Sequence, residues 1–190
     1  MNRKGFKIYW LAALALGIAI LPETLQTDLR LSFLEVRNGE WWRMLSGHLT
    51  HLSWTHLLSN IVGLVILQQL FYQRFSSWRW IIDTVFIALA TGFALIFFSK
   101  ELQWYAGLSA VIIGLFYCYA IQQLNENKWL FLILIACLTL YIAAQQVYGE
   151  ISSSFFGEFP VASRAHLFGA IAGIVLAITS KLLTRYCLKR

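Results

Sequence analysis

Charged side chains are scarce in this sequence of 190 residues, and their scarcity limits the class of protein that it encodes. They make up 13% of the chain, whereas a soluble domain carries about one quarter. Hydrophobic residues account for 59%, and the mean hydropathy is +0.65. No repeat, low-complexity segment or flexible linker interrupts the chain. The composition excludes an ordinary soluble domain and indicates a polytopic membrane protein.

Cysteine is rare as well. Cys118, Cys137 and Cys187 are the three cysteines, and no two of them stand at a spacing typical of a metal site. They fall within apolar stretches or near the end of the last one. We therefore expect free, buried thiols and neither a disulfide framework nor a catalytic cysteine.

Long apolar runs make up much of the chain. Six such runs occupy residues 8–21, 54–72, 80–98, 108–121, 129–147 and 165–183. Uncharged runs of this kind are typical of membrane helices. We predict an all-α polytopic membrane protein: a bundle of six transmembrane helices that forms a single domain over residues 1–190.

The basic residues predict the orientation of this bundle. With the N-terminus in the cytoplasm, ten of the 15 Lys and Arg residues lie on the cytoplasmic side. The other five lie outside: Arg30, Arg37, Arg43, Lys100 and Arg164. This split obeys the positive-inside rule, so we expect both termini in the cytoplasm of a bacterial inner membrane and the opposite face in the periplasm. Nucleic-acid binding would need a groove of clustered basic residues, and the sequence shows no such cluster.

The fourth apolar run is too short to span a bilayer, and a serine lies at its start. From Ser109 to Ile121 a helix rises about 18 Å, whereas the hydrocarbon core is about 30 Å thick. Ser109 should therefore lie roughly 10 Å below the outer surface, where irregular backbone must line a protein-enclosed cavity. His166 starts the sixth run at the same face, which predicts peptide-bond chemistry in a water-filled pocket.

All four histidines are predicted at this outer face. His56 and Asn60 stand four residues apart, so they share one side of the second helix and should point into the bundle. Simple hydrogen bonds between helices are the other interpretation of this pair. The polar residues that lead into the helix suggest a wet cavity entrance, although an interfacial loop would look similar: Ser46, His48, Thr50, His51 and Ser53.

Small residues predict which helices meet. Gly169 and Gly173 continue the side of the sixth helix on which His166 lies, and Ala110 and Gly114 have the same four-residue spacing after Ser109. Such small-xxx-small stripes let two backbones approach closely. If these stripes meet, Ser109 and His166 come together. The stripe is also compatible with packing alone.

At this point the chain resembles the rhomboid family of intramembrane serine proteases. Four elements occur in the family's order: Trp42-Arg43 in a long first loop; His51, His56 and Asn60 as HxxxxHxxxN; Gly107-Leu108-Ser109 as GxS; and Ala165-His166-xx-Gly169-xxx-Gly173. The resemblance covers essentially the whole chain. It implies a six-helix fold that acts on membrane-anchored proteins in the lipid bilayer without a cofactor.

The resemblance also implies roles for individual residues. Ser109 corresponds to the nucleophile, and His166 corresponds to the general base and later acid. His56, Asn60 and Gly107 lie at positions that surround the oxyanion, together with the backbone N–H of Ser109. The stretch from Gly39 to Leu45 is similar to the rhombosortase branch, whose substrates carry glycine-rich C-terminal sorting tails. A general rhomboid that cuts single-span proteins is the alternative.

Two positions depart from the family pattern. Ala110 replaces the glycine that usually follows the nucleophile, and Ile113 replaces an aromatic residue that often packs on the base. Neither change removes a proton-transfer group, so we favour an active protease over a non-catalytic relative. A haem protein with outer-face histidine ligands is the alternative from another class, but it leaves Ser109 and Asn60 unexplained.

Two outer loops complete the prediction. The loop from Pro22 to Ser53 is long and carries Trp41 and Trp42, so we expect it to lie partly in the membrane interface. The loop from Tyr148 to Arg164 is interpreted either as a mobile cap over the cavity or as passive lipid contact.

Overall fold

The computed structural model describes residues 8–73, 78–148 and 163–187. Within them the chain is mostly helical. The elements, in chain order, are α1 (Tyr9–Ala19), α2 (Glu23–Leu29), β1 (Leu31–Ser32), α3 (Phe33–Arg37), α4 (Arg43–Ser46), α5 (Trp54–Phe71), α6 (Arg79–Phe98), β2 (Trp104–Tyr105), α7 (Ser109–Gln122), α8 (Lys128–Tyr148) and α9 (Ser163–Cys187).

Among the described residues, four helices are long and apolar enough to cross a membrane: α5, α6, α8 and the Ser163–Thr184 part of α9. The other two apolar helices, α1 and α7, have 11 and 14 residues. All six lie within a few residues of the predicted apolar runs, since hydropathy is a local property of the sequence. The structure thus has the helices of an integral membrane protein.

The central helix of the bundle is the short α7. Nine of its 14 residues are buried, from Ala110 to Ala120, and it packs against α5, α6 and α9. A helix that is apolar on every side is stable only when neighbours cover it on every side. The residue that opens α7, Ser109, is therefore surrounded by other helices.

Helix α9 is the main neighbour of α7, and glycines make their close approach possible. A Cβ atom added at Gly169 would collide with the carbonyl oxygen of Ala110, and one added at Gly173 would collide with that of Gly114. In the other direction, a Cβ at Gly114 would lie 2.6 Å from the Gly169 carbonyl oxygen. Backbone meets backbone along this contact.

Polar contacts hold the opposite end of the same helices. Lys181 Nζ in α9 donates a 2.7 Å hydrogen bond to the Ile121 carbonyl at the end of α7. Tyr119 donates a 3.2 Å hydrogen bond to buried Asp83 in α6, and Arg79 donates to Ser180 in α9. These contacts fix the register of α6, α7 and α9 one bundle length away from Ser109.

The long connection between α1 and α5 is folded against the bundle. Buried Arg43 pairs with Glu40 at 2.5 Å, donates to the backbone carbonyls of Asp28 and Arg30, and lies 4.9 Å from the ring centroid of Trp42. Strands β1 and β2 form an antiparallel pair, which the all-α prediction did not include because two-residue strands carry no periodicity. The pair joins this connection to the segment before Ser109.

Two further predictions concern side-chain exposure. Trp41 and Trp42 are exposed, as expected for residues in a membrane interface. Cys118 is a buried thiol whose sulfur lies 3.1 Å from Nε2 of Gln122, but Cys137 is an exposed thiol, so the expectation of burial was wrong for Cys137. The predicted cap between Tyr148 and Arg164 lies almost wholly outside the described residues.

Candidate active site

Ser109 and His166 meet at the outer end of the α7–α9 contact. Ser109 opens α7, and His166 lies in the first turn of α9. The Nε2 atom of His166 is 2.8 Å from the Oγ atom of Ser109. His166 is buried, whereas Ser109 is only half-buried. A hydroxyl on a base within hydrogen-bond distance is the geometry that nucleophilic catalysis needs.

The other ring nitrogen of His166 has a partner on α8. Nδ1 lies 2.8 Å from Oε1 of Gln145, and Nε2 of Gln145 donates a 2.8 Å hydrogen bond to the hydroxyl of Tyr141. Sequence reasoning missed Gln145, which stands near the end of an apolar run and looks like a residue at its boundary. The available signal was that a polar side chain in a membrane helix usually faces the bundle interior.

Gly107, two residues before Ser109, is held by three polar contacts. Its N–H donates to the Gly47 carbonyl at 3.1 Å, and its own carbonyl accepts from the Tyr105 hydroxyl at 2.5 Å. Nδ1 of His48 lies 3.3 Å from the same carbonyl. Gly107 has φ +131°, and a Cβ there would lie 2.7 Å from Cε1 of His56. Only glycine fits this position without strain.

Tyr105 is a second residue that sequence reasoning did not single out. Its hydroxyl contacts Ser109 and the Ala110 backbone in addition to the Gly107 carbonyl. Burial raises the pKa of Tyr105 above its ordinary value of 10.0, so the phenol stays neutral and remains a donor. No local pattern marks this tyrosine, because its role depends on the turn at Gly107.

The predicted wet entrance is wrong for three of its residues. His48, Thr50 and His51 are buried rather than solvated. Nε2 of His48 lies 3.0 Å from the Ala88 carbonyl, and Thr50 donates to the Gly47 carbonyl at 2.9 Å. Backbone carbonyls need donors away from water. Thr50 supplies one, and a neutral His48, which has a single N–H, donates to either the Ala88 or the Gly107 carbonyl.

Burial also changes the protonation of two of these histidines. It lowers the pKa of His48 from 6.5 to about 4. It lowers the pKa of His51 to about 3, with a smaller contribution from the neighbouring charge of His56, whose ring centroid lies 5.0 Å away. Both rings are therefore neutral near pH 7.

Asn60 and His56 lie beside the start of α7. Gly63 in α5 contacts Ile112 in α7, with 3.4 Å between an added Cβ and the isoleucine side chain. Asn60 precedes Gly63 by three residues, as Ser109 precedes Ile112, so the two parallel helices bring them to similar depths. Among the described residues, buried Asn60 Nδ2 has no hydrogen-bond partner. A buried amide donor without a partner is costly unless a ligand uses it.

The two departures from the family pattern are accommodated in different ways. Ala110 is fully buried, with its carbonyl against Gly169. Ile113 packs in an apolar cluster that includes Ile142 and Ala170. The aromatic ring near His166 comes from α8 instead, since the centroid of Tyr141 lies 6.4 Å from the imidazole centroid.

The contacts of the histidines bear on the haem alternative. Both ring nitrogens of His48 and of His166 face protein groups. In the part of the chain that the structure describes, no three His, Cys, Asp or Glu residues are grouped as metal ligands would be. An axial haem ligand needs a ring nitrogen that faces the iron. As they are placed, His48 and His166 have no ring nitrogen free for an iron.

Comparison with known proteins agrees with this geometry. The rhomboid domain family model matches residues 38–181. The rhomboid protease GlpG of Salmonella paratyphi A (strain ATCC 9150 / SARB42) is 27% identical over 196 aligned positions, which cover 97% of this chain and 67% of GlpG. YdcA of Bacillus subtilis (strain 168), provisionally named a rhomboid protease, is 26% identical over 150 positions, which cover 76% of this chain and 69% of YdcA. The chain therefore belongs to the rhomboid family of intramembrane serine proteases.

Proposed function

We propose that Ser109 is the nucleophile and His166 the general base of this protease. The observation that carries the proposal is the 2.8 Å contact between Ser109 Oγ and His166 Nε2. As Oγ attacks the carbonyl carbon of the substrate, its proton passes to Nε2. The imidazolium then protonates the leaving amine, the peptide C–N bond breaks, and an acyl-enzyme remains. Water, deprotonated by His166, hydrolyses this ester and restores Ser109.

The negative charge on the tetrahedral intermediate needs donors that are already in place. We assign this role to Asn60 Nδ2, His56 and the backbone N–H of Ser109, with Gly107 shaping the turn. The unpartnered, buried Nδ2 atom of Asn60 supports the assignment, because an oxyanion would supply the missing acceptor. The close packing of His56 on Gly107 supports it as well.

We further propose six membrane helices, α1 and α5 to α9, with both termini in the cytoplasm of a bacterial inner membrane. The active site then opens toward the periplasm. The ten-to-five division of the 15 basic residues supports this orientation. The 14-residue α7 supports a nucleophile below the membrane surface, because it rises about 21 Å in a hydrocarbon core of about 30 Å.

A nucleophile below the membrane surface restricts the substrate. A peptide bond in a regular helix keeps its carbonyl hydrogen-bonded, so the substrate must unwind locally to reach Ser109. Glycine favours unwinding, since it is about 1 kcal/mol less favourable than alanine in a helix. We infer a membrane-anchored protein with a glycine-rich C-terminal tail, as the rhombosortase-like stretch Gly39–Leu45 also suggests. A general activity on single-span proteins is the alternative.

Three secreted reporters test the substrate proposal. The first carries a Gly-Gly tail before its apolar anchor, the second has both glycines changed to Leu, and the third has an ordinary single-span anchor. Each is expressed with the wild-type chain and with Ser109→Ala, and release from the membrane is measured. Preferred Ser109-dependent release of the first reporter supports the narrow proposal. Equal release of the first and third favours the general one, and efficient release of the second contradicts the unwinding argument.

A further inference from the structure

Helix α8 has little contact with the bundle, yet it brings a polar side chain to the base. Three of the 21 residues of α8 are buried: Phe131, Ile142 and Gln145. Burying a glutamine amide inside a membrane bundle costs free energy unless its polar atoms have partners. Both polar ends of Gln145 do have partners, Tyr141 and His166. The buried position of Gln145 is therefore explained by its two hydrogen bonds and not by packing alone.

The contacts form one continuous chain of hydrogen bonds. Tyr141 lies one turn before Gln145 on α8 and accepts from its Nε2 at 2.8 Å. Gln145 Oε1 faces His166 Nδ1 at 2.8 Å, and His166 Nε2 faces Ser109 Oγ at 2.8 Å. The neighbouring Gln146 donates to the Ser163 carbonyl at 2.9 Å, which ties the end of α8 to the start of α9.

The chemistry of imidazole assigns a direction to this chain. A neutral imidazole has one N–H, so Nε2 accepts the Ser109 proton only if Nδ1 carries the ring proton. That Nδ1–H then needs an acceptor, and the carbonyl oxygen of Gln145 is the group beside it. A reversed amide would place an NH₂ group against the ring N–H. The ring N–H therefore selects the orientation with Oε1 toward His166, in which the Tyr141 hydroxyl accepts from Gln145 Nε2.

Tyr141 and Gln145 also compensate for the aromatic residue that is missing near the base. Position 113 carries isoleucine, and Ile113 contributes no aromatic ring to His166. The Tyr141 ring, tilted by 32° with its centroid 6.4 Å from the imidazole, approaches from α8 instead. One short helical segment thus supplies both an aromatic neighbour and a hydrogen-bond acceptor.

We propose that Gln145, oriented by Tyr141, is a positioning residue that holds His166 in the Nδ1-protonated tautomer facing Ser109. The proposal rests on the catalytic roles proposed for Ser109 and His166. A neutral amide supports the developing imidazolium through its carbonyl dipole and avoids a buried carboxylate in the membrane. Ser109, His166 and Gln145 thus form one hydrogen-bonded chain, in which Gln145 accepts a hydrogen bond and exchanges no proton.

The first test measures kcat, KM and the pH profile of a reconstituted reporter. Gln145→Leu removes the acceptor and should lower kcat about 10–100-fold with little change in KM, as loss of a histidine-orienting partner does at metal sites. Gln145→Glu keeps an acceptor and should retain more activity. Its carboxylate should also move the acid limb of the profile to higher pH, since it favours the imidazolium. Tyr141→Phe should cause a smaller loss of kcat than Gln145→Leu.

A matched control separates positioning from general effects of removing an amide. Gln69→Leu makes the same change at an exposed position of α5 and should leave kcat and the pH profile unchanged. Wild-type kcat in Gln145→Leu would overturn the proposal. If Gln145→Leu does not fold, Gln145→Glu decides the question, because an acid limb identical to that of the wild type contradicts the proposed contact.

A second readout is independent of turnover. ¹⁵N NMR of histidine-labelled protein reports which ring nitrogen of His166 carries the proton. We expect the Nδ1-protonated form in the wild type and its loss in Gln145→Leu; the same tautomer in both proteins overturns the proposal. If Ser109→Ala cleaves reporters as well as the wild type does, the proposed function fails, while the tautomer measurement still decides the role of Gln145.

Discussion

His166 Nε2 lies 2.8 Å from Ser109 Oγ, although 57 positions separate the two residues in the chain. The distance depends on a backbone contact one turn away, where Gly169 meets the carbonyl group of Ala110. Helices with ordinary side chains at that contact would lie 8–10 Å apart at their axes, as is typical of packed helices. The glycine stripe of α9 is therefore part of what brings the base to the nucleophile.

The first prediction concerns this pair. Ser109→Ala and His166→Ala should each remove nearly all proteolysis while the protein stays inserted and folded. The double variant should lose little more activity than either single one, because the two residues act as one unit. Cleavage of a reconstituted reporter and labelling with a fluorophosphonate provide the measurements. Substantial cleavage by Ser109→Ala would contradict the proposed mechanism.

The second prediction concerns the close contact of α7 and α9. Gly173→Ala places a methyl group against the Gly114 carbonyl oxygen, and overpacking of this kind costs about 1–3 kcal/mol. The apparent melting temperature in detergent and the activity should both fall. Gly17→Ala in α1 is the matched control, since an added Cβ there meets nothing within 4 Å. Equal stability of the two variants would show that the contact tolerates a side chain.

The third prediction tests the proposed oxyanion donors. Removing one such donor typically lowers turnover by about 10²–10³-fold. His56→Ala and Asn60→Ala should both lower kcat, with a smaller loss for Asn60→Ala because backbone donors remain. A fluorophosphonate should still label a fraction of each variant. Full activity in both variants would leave the pair with a structural role between helices only.

The fourth prediction follows from the turn before the nucleophile. Tyr105→Phe removes the hydroxyl that donates to the Gly107 carbonyl at 2.5 Å. We expect kcat to fall about tenfold, which corresponds to about 1.4 kcal/mol in the barrier, because the turn that carries Ser109 loses a hydrogen bond. Tyr72→Phe, at an exposed position, serves as the control and should leave kcat unchanged. Equal kcat values for the two variants would exclude this role.

The fifth prediction concerns acid pH. Burial lowers the pKa of His48 from 6.5 to about 4 and that of His51 to about 3. Unfolded chains bind these protons near pH 6.5 and the folded protein does not, so folding stability is greatest above that pH. It should fall as the pH drops from 6.5 toward 4. Melting temperatures measured across this range should fall less steeply for His48→Gln, and an identical slope would contradict the assignment.

The positions of the apolar helices follow from the sequence by itself. Hydropathy and the bilayer are sufficient to locate them within a few residues, because each helix satisfies its own backbone hydrogen bonds. The motifs around Ser109 and His166 were also visible, since a serine at the start of a short helix and a histidine in register with a glycine stripe are local patterns. The family assignment therefore needed no coordinates.

The surroundings of these residues were decided by tertiary structure. In the sequence Gln145 resembles the polar end of an apolar run, and only the packing of α8 against His166 gives it a partner. Tyr105 and His48 match no local pattern, because their role as donors depends on the turn at Gly107. A hydrogen bond between distant segments depends on helix register and backbone approach, and neither leaves a periodic signal along the chain. For the same reason, histidines expected at a wet entrance proved to be buried donors to backbone carbonyls.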